Sequence, residues 1–291
     1  QWPDETSRFP NELRHCHSGA MTDQHPFDAA IQLSNDSEGI WSGHSSPAYA
    51  NMVGAFGGIV AATLLNSVML DTRRTGTPVS QTVNFCTGLG AGPFKIETKL
   101  QRAGKYTQHW NTELSQGDTM IATSSIVMGA RGETFSHQPT PAPDVAPAAD
   151  IAPMSGKLPL EWINRYDYRF VNGGIESIGI PKTPLGDSQT RVWIADNPPR
   201  PLDYLSLAAL ADCFFLRLLQ IRGTMEPMGT VTLTTHFLAT EEELTAQGSA
   251  HLLGIVDSNR MHNQFHDQTM QMFGTSGKIL AAGTQLVWYR Q

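Results

Sequence analysis

The amino-acid sequence predicts an α+β protein in which one structural unit occurs twice along the chain. Two long apolar stretches, residues 52–70 and 204–219, are apolar on every side, which is typical of buried helices. Each is followed by four strand-like segments, and helices and strands do not alternate as a parallel sheet would require. The 291 residues, 40% hydrophobic and 16% charged, suffice for two globular units of ordinary size.

The first unit is predicted to span residues 26–138, after a polar N-terminal tail at residues 1–25 that shows no signal peptide. Apolar and polar side chains alternate across residues 79–85, which indicates a sheet with two unlike faces. Polar residues such as Asn66 and Ser67 within the apolar helix favour a buried helix over a membrane span. The predicted elements are strands at 29–33 and 39–45, a helix at 52–70, and strands at 79–87, 93–102, 106–115 and 119–128.

A Pro/Ala-rich linker at residues 139–155 precedes the second unit. It contains five prolines, and we expect it to be extended. The second unit is predicted to span residues 156–291 and repeats the order of elements in the first. Its predicted elements are strands at 165–171 and 188–195, a helix at 204–219, and strands at 230–238, 248–256, 262–273 and 279–289.

Two pairs of segments can be aligned residue by residue between the two halves. Residues 77–85 align with residues 229–237, and residues 117–126 align, with one gap in a turn, with residues 277–285. A buried helix wrapped by a curved antiparallel sheet, present twice, describes a tandem (double) hotdog fold. We therefore expect two antiparallel sheets, each wrapped around one long buried helix.

Asp212 lies near the middle of the predicted second helix, with apolar residues at helical spacing around it. Burial of a carboxylate costs free energy unless the carboxylate is paired or hydrogen-bonded. On the residues alone, two interpretations stay open. Asp212 is either a structural acid that pairs with Arg217 or with a nearby amide, or a catalytic acid or base on a rigid, dry support.

Four short motifs resemble those of the double-hotdog acyl-CoA thioesterase II family and its thioesterase-like relatives. They are Phe56-Gly57-Gly58, Leu210-Ala211-Asp212-Cys213, Met228-Gly229-Thr230-Val231 and Ala282-Gly283-Thr284-Gln285. The resemblance covers nearly all of residues 26–290 and implies a catalytic set of Asp212, Thr230 and Gln285. It also implies that the helix start at Phe56, Gly57 and Gly58 contributes to oxyanion and substrate binding.

These residue types suit the hydrolysis of a thioester by water. Asp212 could accept the proton of the water, while the Thr230 hydroxyl and the Gln285 amide hold that water at a fixed angle. The amides that open the first helix are expected to be free donors at the positive end of a helix dipole, where an oxyanion would be stabilised. The alternative interpretation of Gly57 and Gly58 is tight packing of a helix against the sheet.

The resemblance implies an acyl-CoA thioesterase, an enzyme of lipid metabolism that hydrolyses an acyl-CoA thioester to a free acid and coenzyme A. Its partner would be the acyl-CoA substrate, with no cofactor, and we expect a homodimer or a higher homo-oligomer. The alternative is a non-catalytic acyl-thioester-binding double-hotdog protein, because binding needs the acyl cavity but not the catalytic residues. Turnover of a panel of acyl-CoAs separates the two hypotheses.

The two copies differ at the predicted catalytic positions. In the alignment, Pro78 stands in the first copy where Thr230 stands in the second, and Ile126 stands where Gln285 stands. Polar groups therefore occur in one copy only. This asymmetry predicts a single active site per chain.

Composition and motifs argue against several other classes. A net charge of −7 and a pI near 5.8 are unlike a general nucleic-acid binder. No Gly-x-Ser-x-Gly motif is present, Arg217 stands where a hotdog hydratase would need histidine, and His262 and His266 lack a third ligand for a metal. The three cysteines, an odd number at wide spacing, favour a reducing compartment, and we expect a cytoplasmic protein.

Overall fold

The computed structural model describes residues 24–155, 160–174 and 187–290. The predicted tail at residues 1–25 therefore lies outside the described residues except for its last two. The first unit contains, in order, α1 (Pro26–Ala30), β1 (Leu33–Ser37), β2 (Ile40–His44), α2 (Gly57–Met69), β3 (Thr77–Phe85), β4 (Pro93–Ala103), β5 (Thr107–Gln116) and β6 (Thr119–Gly129).

The second unit repeats this order with additions. It contains β7 (Tyr166–Asn172), β8 (Thr190–Asp196), α3 (Tyr204–Leu210), α4 (Arg217–Arg222), β9 (Met228–Phe237), α5 (Glu241–Gln247), β10 (Leu252–Asp257), β11 (Met261–His262), β12 (Phe265–Phe273) and β13 (Ile279–Tyr289). Within the described ranges, each helix is too short or too polar to cross a bilayer.

Antiparallel pairing joins the strands of both units into one sheet. Among the described residues the sheet has thirteen strands, with the order β1-β2-β4-β5-β6-β3-β9-β13-β12-β10-β8-β7 and with β11 paired to β12. The two predicted sheets thus meet edge to edge through β3 and β9, where Val83 lies opposite Leu233 and the hydroxyls of Thr82 and Thr234 are 2.9 Å apart. The predicted α+β double hotdog fold is confirmed, and its two sheets are continuous.

The predicted strand at 29–33 is wrong, and the first long helix begins at the predicted Phe56-Gly57-Gly58 motif and not at residue 52. Residues 26–30 form α1, because Pro26 suits a first helical turn and the His25 ring accepts a hydrogen bond from the Phe27 amide. The first long helix begins at Gly57, since the preceding residues form a loop closed by a hydrogen bond from Asn51 N–H to the Gly54 carbonyl (2.8 Å). Gly54 has a φ of 76°, a conformation that favours glycine.

The predicted continuous helix at 204–219 is also wrong. It is divided into α3 and α4, and Asp212 lies in the break. Directly after α3 the hydrogen bonds follow the 3-10 pattern and span three residues. Asp212 N–H donates to the Ala209 carbonyl (3.1 Å), and Cys213 N–H donates to the Leu210 carbonyl (3.0 Å).

The break is supported by side chains that satisfy its backbone carbonyls. Tyr168 Oη donates to the Cys213 carbonyl (2.9 Å), Gln268 Nε2 to the Phe214 carbonyl (3.3 Å) and Arg217 Nε to the Phe215 carbonyl (2.9 Å). Residues 211–216 contain no proline or glycine, and these tertiary partners stabilise the break in the helix. Arg217 also bonds Thr190 and Gln220, so the pairing of Asp212 with Arg217, one of the alternatives left open by the sequence, is not formed.

The two buried helices α2 and α3 pack directly against each other. They approach closely at Gly58, where a Cβ atom would lie 2.5 Å from the Ala209 carbonyl oxygen. The absence of a side chain there lets the N-terminus of α2 lie beside the C-terminal end of α3. The packing therefore brings the start of a helix from the first unit to the helix break of the second.

The segment at residues 139–155 lies against the second unit. The Trp193 indole donates to the Ala146 carbonyl (2.9 Å), Arg169 Nη1 donates to the Ala148 carbonyl (3.0 Å), and Met154 N–H donates to the Tyr168 carbonyl (2.7 Å). A short 3-10 helix, Ala148–Asp150, interrupts it. The predicted boundaries of the linker and of the two units stay predictions.

Candidate active site

Asp212 is half-buried at the junction of the two units. Its carboxylate accepts hydrogen bonds from Gln285 Nε2 and from the backbone amide of Gly58. Desolvation raises the pKa of Asp212 to about 7, and the two hydrogen bonds act in the opposite direction without cancelling it. The carboxyl group is therefore poised to exchange a proton near neutral pH.

Thr230 and Gln285 lie beside Asp212 on neighbouring strands. Thr230 is in β9 and Gln285 in β13, which pair antiparallel. Gln285 is 3% exposed, and its Nε2 lies 3.4 Å from the Thr230 hydroxyl as well as bonding Asp212. The structure thus brings the three predicted catalytic side chains together, while their catalytic role stays a prediction.

The start of α2 faces the Asp212 carboxylate. A Cβ atom on Gly57 would lie 2.6 Å from Asp212 Oδ2, so only glycine permits this approach. The expectation of three free amide donors is wrong in part, because Phe56 N–H donates to the Tyr49 carbonyl (2.8 Å) and Gly58 N–H bonds Asp212. The side chain of Phe56 is buried and stacks on the ring of Trp162 with centroids 4.2 Å apart.

An apolar cavity of about 570 Å³ opens beside Asp212. Both units contribute to its wall, and Asp212, Thr230 and Gly57 line one part of it. Its apolar lining includes Met52, Val53, Phe85, Leu89, Ile121, Leu160, Trp162, Phe215, Leu219, Met228 and Trp288. A cavity with mostly apolar walls and a few convergent polar groups is typical of a site for a small organic ligand.

One polar residue in contact with the site was not predicted from the sequence. Gln268 in β12 is 2% exposed, and its Nε2 donates to Gln285 Oε1 over 2.8 Å. On that strand the buried residues alternate, and Gln268 shares the inward face with His266, Met270 and Met272. In the sequence, the signal for a buried polar residue of this kind is a glutamine at a strand position where the alternation predicts an apolar, inward-facing side chain.

The histidines considered as metal ligands lie apart from the cavity lining. His266 is buried and His262 exposed, and burial lowers the pKa of His266. In the described part of the chain, no group of three or more His, Cys, Asp or Glu side chains is arranged to hold a metal ion.

Comparison with known proteins agrees with the fold. The family model for the acyl-CoA thioesterase C-terminal domain matches residues 137–289, and the model for the acyl-CoA thioesterase N-terminal domain matches residues 46–129. The two matches fall one on each unit of a double hotdog. The chain belongs to the acyl-CoA thioesterase family.

Solved structures extend the comparison over most of the chain. A hot dog fold protein of unknown function from Alicyclobacillus acidocaldarius is 37% identical, with 92% of this chain and 98% of that chain covered and a TM-score of 0.86. An acyl-CoA thioesterase II from Mycobacterium marinum is 19% identical over 91% of this chain and 98% of that chain, with a TM-score of 0.70. At that identity the second likeness shows the fold alone. No protein of curated function matches the sequence.

Proposed function

We propose that this protein is an acyl-CoA thioesterase that hydrolyses an acyl-CoA thioester to the free acid and coenzyme A. The observation that carries the proposal is the position of Asp212. Its carboxyl group lies between the start of α2 and the polar side chains of Thr230 and Gln285, at the wall of an apolar cavity. Membership of the thioesterase family supports the same reaction class.

In the proposed mechanism, Asp212 is the general base. A water molecule held by Asp212, Thr230 and Gln285 gives one proton to the Asp212 carboxylate as its oxygen attacks the thioester carbonyl carbon. A base with a pKa of about 7 is well matched to this transfer at neutral pH. The attack produces a tetrahedral intermediate with a negatively charged oxygen.

The start of α2 is the proposed site for that oxygen. The Gly57 backbone amide lies at the positive end of the helix and is the proposed donor, because the Gly58 amide already bonds Asp212, and neither residue has a side chain to obstruct the approach. Collapse of the intermediate breaks the carbon–sulfur bond, and the departing thiolate of coenzyme A takes the proton back from Asp212. The acid product then leaves the cavity, and the carboxylate is restored.

The apolar cavity is the proposed site for the acyl chain. Its lining consists largely of hydrocarbon and aromatic side chains, so burial of an alkyl group there is favoured by about 0.8 kcal/mol per methylene. Transfer from water to this cavity would draw the thioester carbonyl toward Asp212. The coenzyme A moiety would remain on the side of the cavity open to solvent.

Thiol release from acyl-CoAs of graded chain length, measured with wild type and Asp212→Asn, tests the proposal. We expect turnover by wild type and a loss of about a hundredfold or more in the folded Asp212→Asn variant, because the amide cannot accept the proton. Binding of several acyl-CoAs without turnover by wild type would favour the non-catalytic acyl-thioester-binding alternative. Turnover by Asp212→Asn at the wild-type rate would make Asp212 a structural residue.

We further propose a cytoplasmic protein that forms a homodimer or a higher homo-oligomer. Support for a reducing compartment comes from Cys86 and Cys213, which are both free thiols in the structure. Light scattering on the purified chain and fractionation of the source cells test the two statements separately. A monodisperse monomer would refute the homo-oligomer without affecting the proposed reaction.

A further inference from the structure

A continuous line of buried hydrogen bonds connects the backbone of α4 to the catalytic carboxylate. Arg217 N–H donates to Gln268 Oε1 (3.3 Å), and Gln268 Nε2 donates to Gln285 Oε1 (2.8 Å). Gln285 Nε2 then donates to Asp212 Oδ1. Both glutamines are almost fully buried, at 2% and 3% exposure, so protein groups determine which way each amide faces.

The orientation of the Gln268 amide is determined by two backbone groups that cannot exchange roles. The Arg217 N–H can only donate, so the oxygen of Gln268 must face it. The Phe214 carbonyl can only accept, and it lies 3.3 Å from Gln268 Nε2. An amide flip of Gln268 would leave both of these buried groups unpaired, at a cost of about 1–3 kcal/mol for each.

The orientation of Gln268 in turn determines that of Gln285. With Gln268 Nε2 pointing at it, Gln285 must present Oε1 on that side and Nε2 on the side of Asp212. In the opposite orientation two NH₂ groups would face each other, and an amide oxygen would face the carboxylate. That arrangement disfavours the ionised form of Asp212, which is the form that can accept a proton from water.

We propose that Gln268 is a positioning residue of the active site, which acts by holding the Gln285 amide with its nitrogen toward Asp212. This inference rests on the proposed function, because the orientation of Gln285 matters only where Asp212 is a base. The corresponding place in the first unit is occupied by Trp110, which lies opposite Ile126 as Gln268 lies opposite Gln285. At this position the first unit, which has no proposed catalytic carboxylate, thus lacks the hydrogen-bonded pair of side-chain amides.

The pH dependence of turnover distinguishes positioning from a merely structural role. Tyr168 and Cys213 are the other titratable groups that interact with Asp212, and burial raises the pKa of each well above its usual range. Both therefore stay neutral where Asp212 titrates. Near neutral pH, the acid limb of the kcat/KM profile reports the ionisation of Asp212.

The first test is Gln268→Met, which keeps the length of the side chain and removes its amide. We expect kcat to fall by about tenfold, the acid limb to move to higher pH by about one unit, and KM to change little. Gln108→Met is the matched control, because Gln108 is also buried but bonds Thr75 N–H and the Arg73 carbonyl in the first unit. It should lower the thermal midpoint and leave the pH profile unchanged.

The second test is Gln268→Glu, which keeps the size and shape of the side chain. The new carboxylate would attract Gln285 Nε2 and turn Gln285 Oε1 toward Asp212, so we expect a larger loss than for Gln268→Met. In a Gln285→Ile background, either substitution should reduce kcat no further, because the residue acts through Gln285. If Gln268→Met does not fold, Gln268→Glu and its double variant give the same test.

Two results would overturn the inference. The first is a folded Gln268→Met or Gln268→Glu variant whose kcat and acid limb are those of wild type. The second is a loss of kcat from either substitution that is as large in the Gln285→Ile background as in the wild-type background. These results are separable from failure of the proposed function. Full activity of Asp212→Asn would refute the site as a whole, whereas an inactive Asp212→Asn with unaffected Gln268 variants would refute the positioning role alone.

Discussion

The two units of this protein share one arrangement of strands but differ in their central helices. In the first unit, α2 runs without interruption for 13 residues. In the second unit, α3 ends at Leu210, and the chain leaves helical geometry before α4 begins at Arg217. The break exposes the Asp212 carboxylate to the cavity. The comparison shows that the fold needs a buried helix in each unit, whereas the proposed chemistry needs a break in one of them.

The register of the sheet shows a second difference at equivalent positions. In the first unit Gln81 lies opposite Ile126, and in the second unit Leu233 lies opposite Gln285, so glutamine and aliphatic residue have exchanged strands. Gln81 Nε2 donates to the Ala61 carbonyl within the unbroken helix (2.9 Å) and is structural. Gln285 bonds the carboxylate at the break. Buried amides in the same fold thus serve structure in one unit and the proposed active site in the other.

The largest effect on this comparison is expected from Gly57→Ala. The new methyl group would lie within 2.6 Å of Asp212 Oδ2 and would push the carboxylate away from the start of α2. We expect turnover to fall by about a hundredfold, because misplacing the base and obstructing the proposed oxyanion site act together. Stopped assays of thiol release with a saturating acyl-CoA measure the change.

Gly132→Ala is the control for that substitution. A Cβ atom on Gly132 has no neighbour within 4 Å, so its turnover should equal that of wild type. If Gly57→Ala were as active as Gly132→Ala, the close contact between the units would have no role in the reaction.

A smaller, graded effect is expected from pH. Because burial raises the pKa of Asp212 to about 7, the ionised base is lost as pH falls through that value. The kcat/KM for thiol release should therefore drop by about tenfold per pH unit below neutrality and be level above it. A profile that stays flat down to the usual titration range of aspartate would contradict the assignment of Asp212 as the base.

The same pKa shift has a consequence for stability. Because the pKa of Asp212 is raised in the folded protein, the folded chain keeps a proton that the unfolded chain has already released. The free energy of unfolding therefore decreases as pH rises toward the folded-state pKa, and it is lowest above that pKa. Asp212→Asn removes this dependence. Its thermal midpoint relative to wild type should rise as pH increases from 5 to 8, and a constant difference would contradict the shift.

The smallest effect is expected from Tyr168→Phe, which removes a support of the helix break. The Tyr168 hydroxyl donates to the Cys213 carbonyl (2.9 Å), and its loss leaves a buried acceptor unpaired at a cost of about 1–2 kcal/mol. Chemical denaturation measures the free energy of unfolding. Tyr106→Phe, at an exposed position of the first unit, should change it little, and equal effects of the two substitutions would mean that the break needs no support from Tyr168.

Most of the fold could be predicted from the sequence because its signals are local. Alternating side chains and the internal repeat identify the strands β3 to β6 and β9 to β13 except for the two-residue β11, with small differences at their ends. The helix break could not be predicted, since residues 211–216 contain no proline or glycine to mark it and are held out of the helix by Tyr168, Gln268 and Arg217, which bond their carbonyls. Such contacts bring together residues that are distant in the sequence.

The candidate site was predictable to the extent that motifs mark it. The positions of Asp212, Thr230 and Gln285 follow from short motifs, and the structure places them together. Which amides are free at the start of α2 was not predictable, because the partner of Phe56 N–H is the carbonyl of Tyr49 at the end of a short 3-10 helix, Pro47–Tyr49. Gln268 has no motif, and its role depends on a cross-strand pairing with Gln285 that only the register reveals.

In the proposed mechanism the second unit holds the water, while the first unit contributes the start of α2, and an exchange of equivalent residues tests this division. Gln285→Ile places the residue of the first unit in the second, and Ile126→Gln does the reverse. We expect Gln285→Ile to reduce kcat by about a hundredfold, because the water and Asp212 lose a hydrogen-bond partner. Ile126→Gln should leave kcat unchanged and lower the thermal midpoint, since Ile126 is fully buried and the substitution places a polar amide at a packed apolar position.

The measurement is kcat for thiol release by the two variants, with thermal midpoints recorded on the same preparations. A loss confined to Gln285→Ile, with the stability penalty on Ile126→Gln, is the predicted result. Equal losses of kcat in the two variants would mean that both units hold equivalent sites, and that result would contradict a single active site per chain.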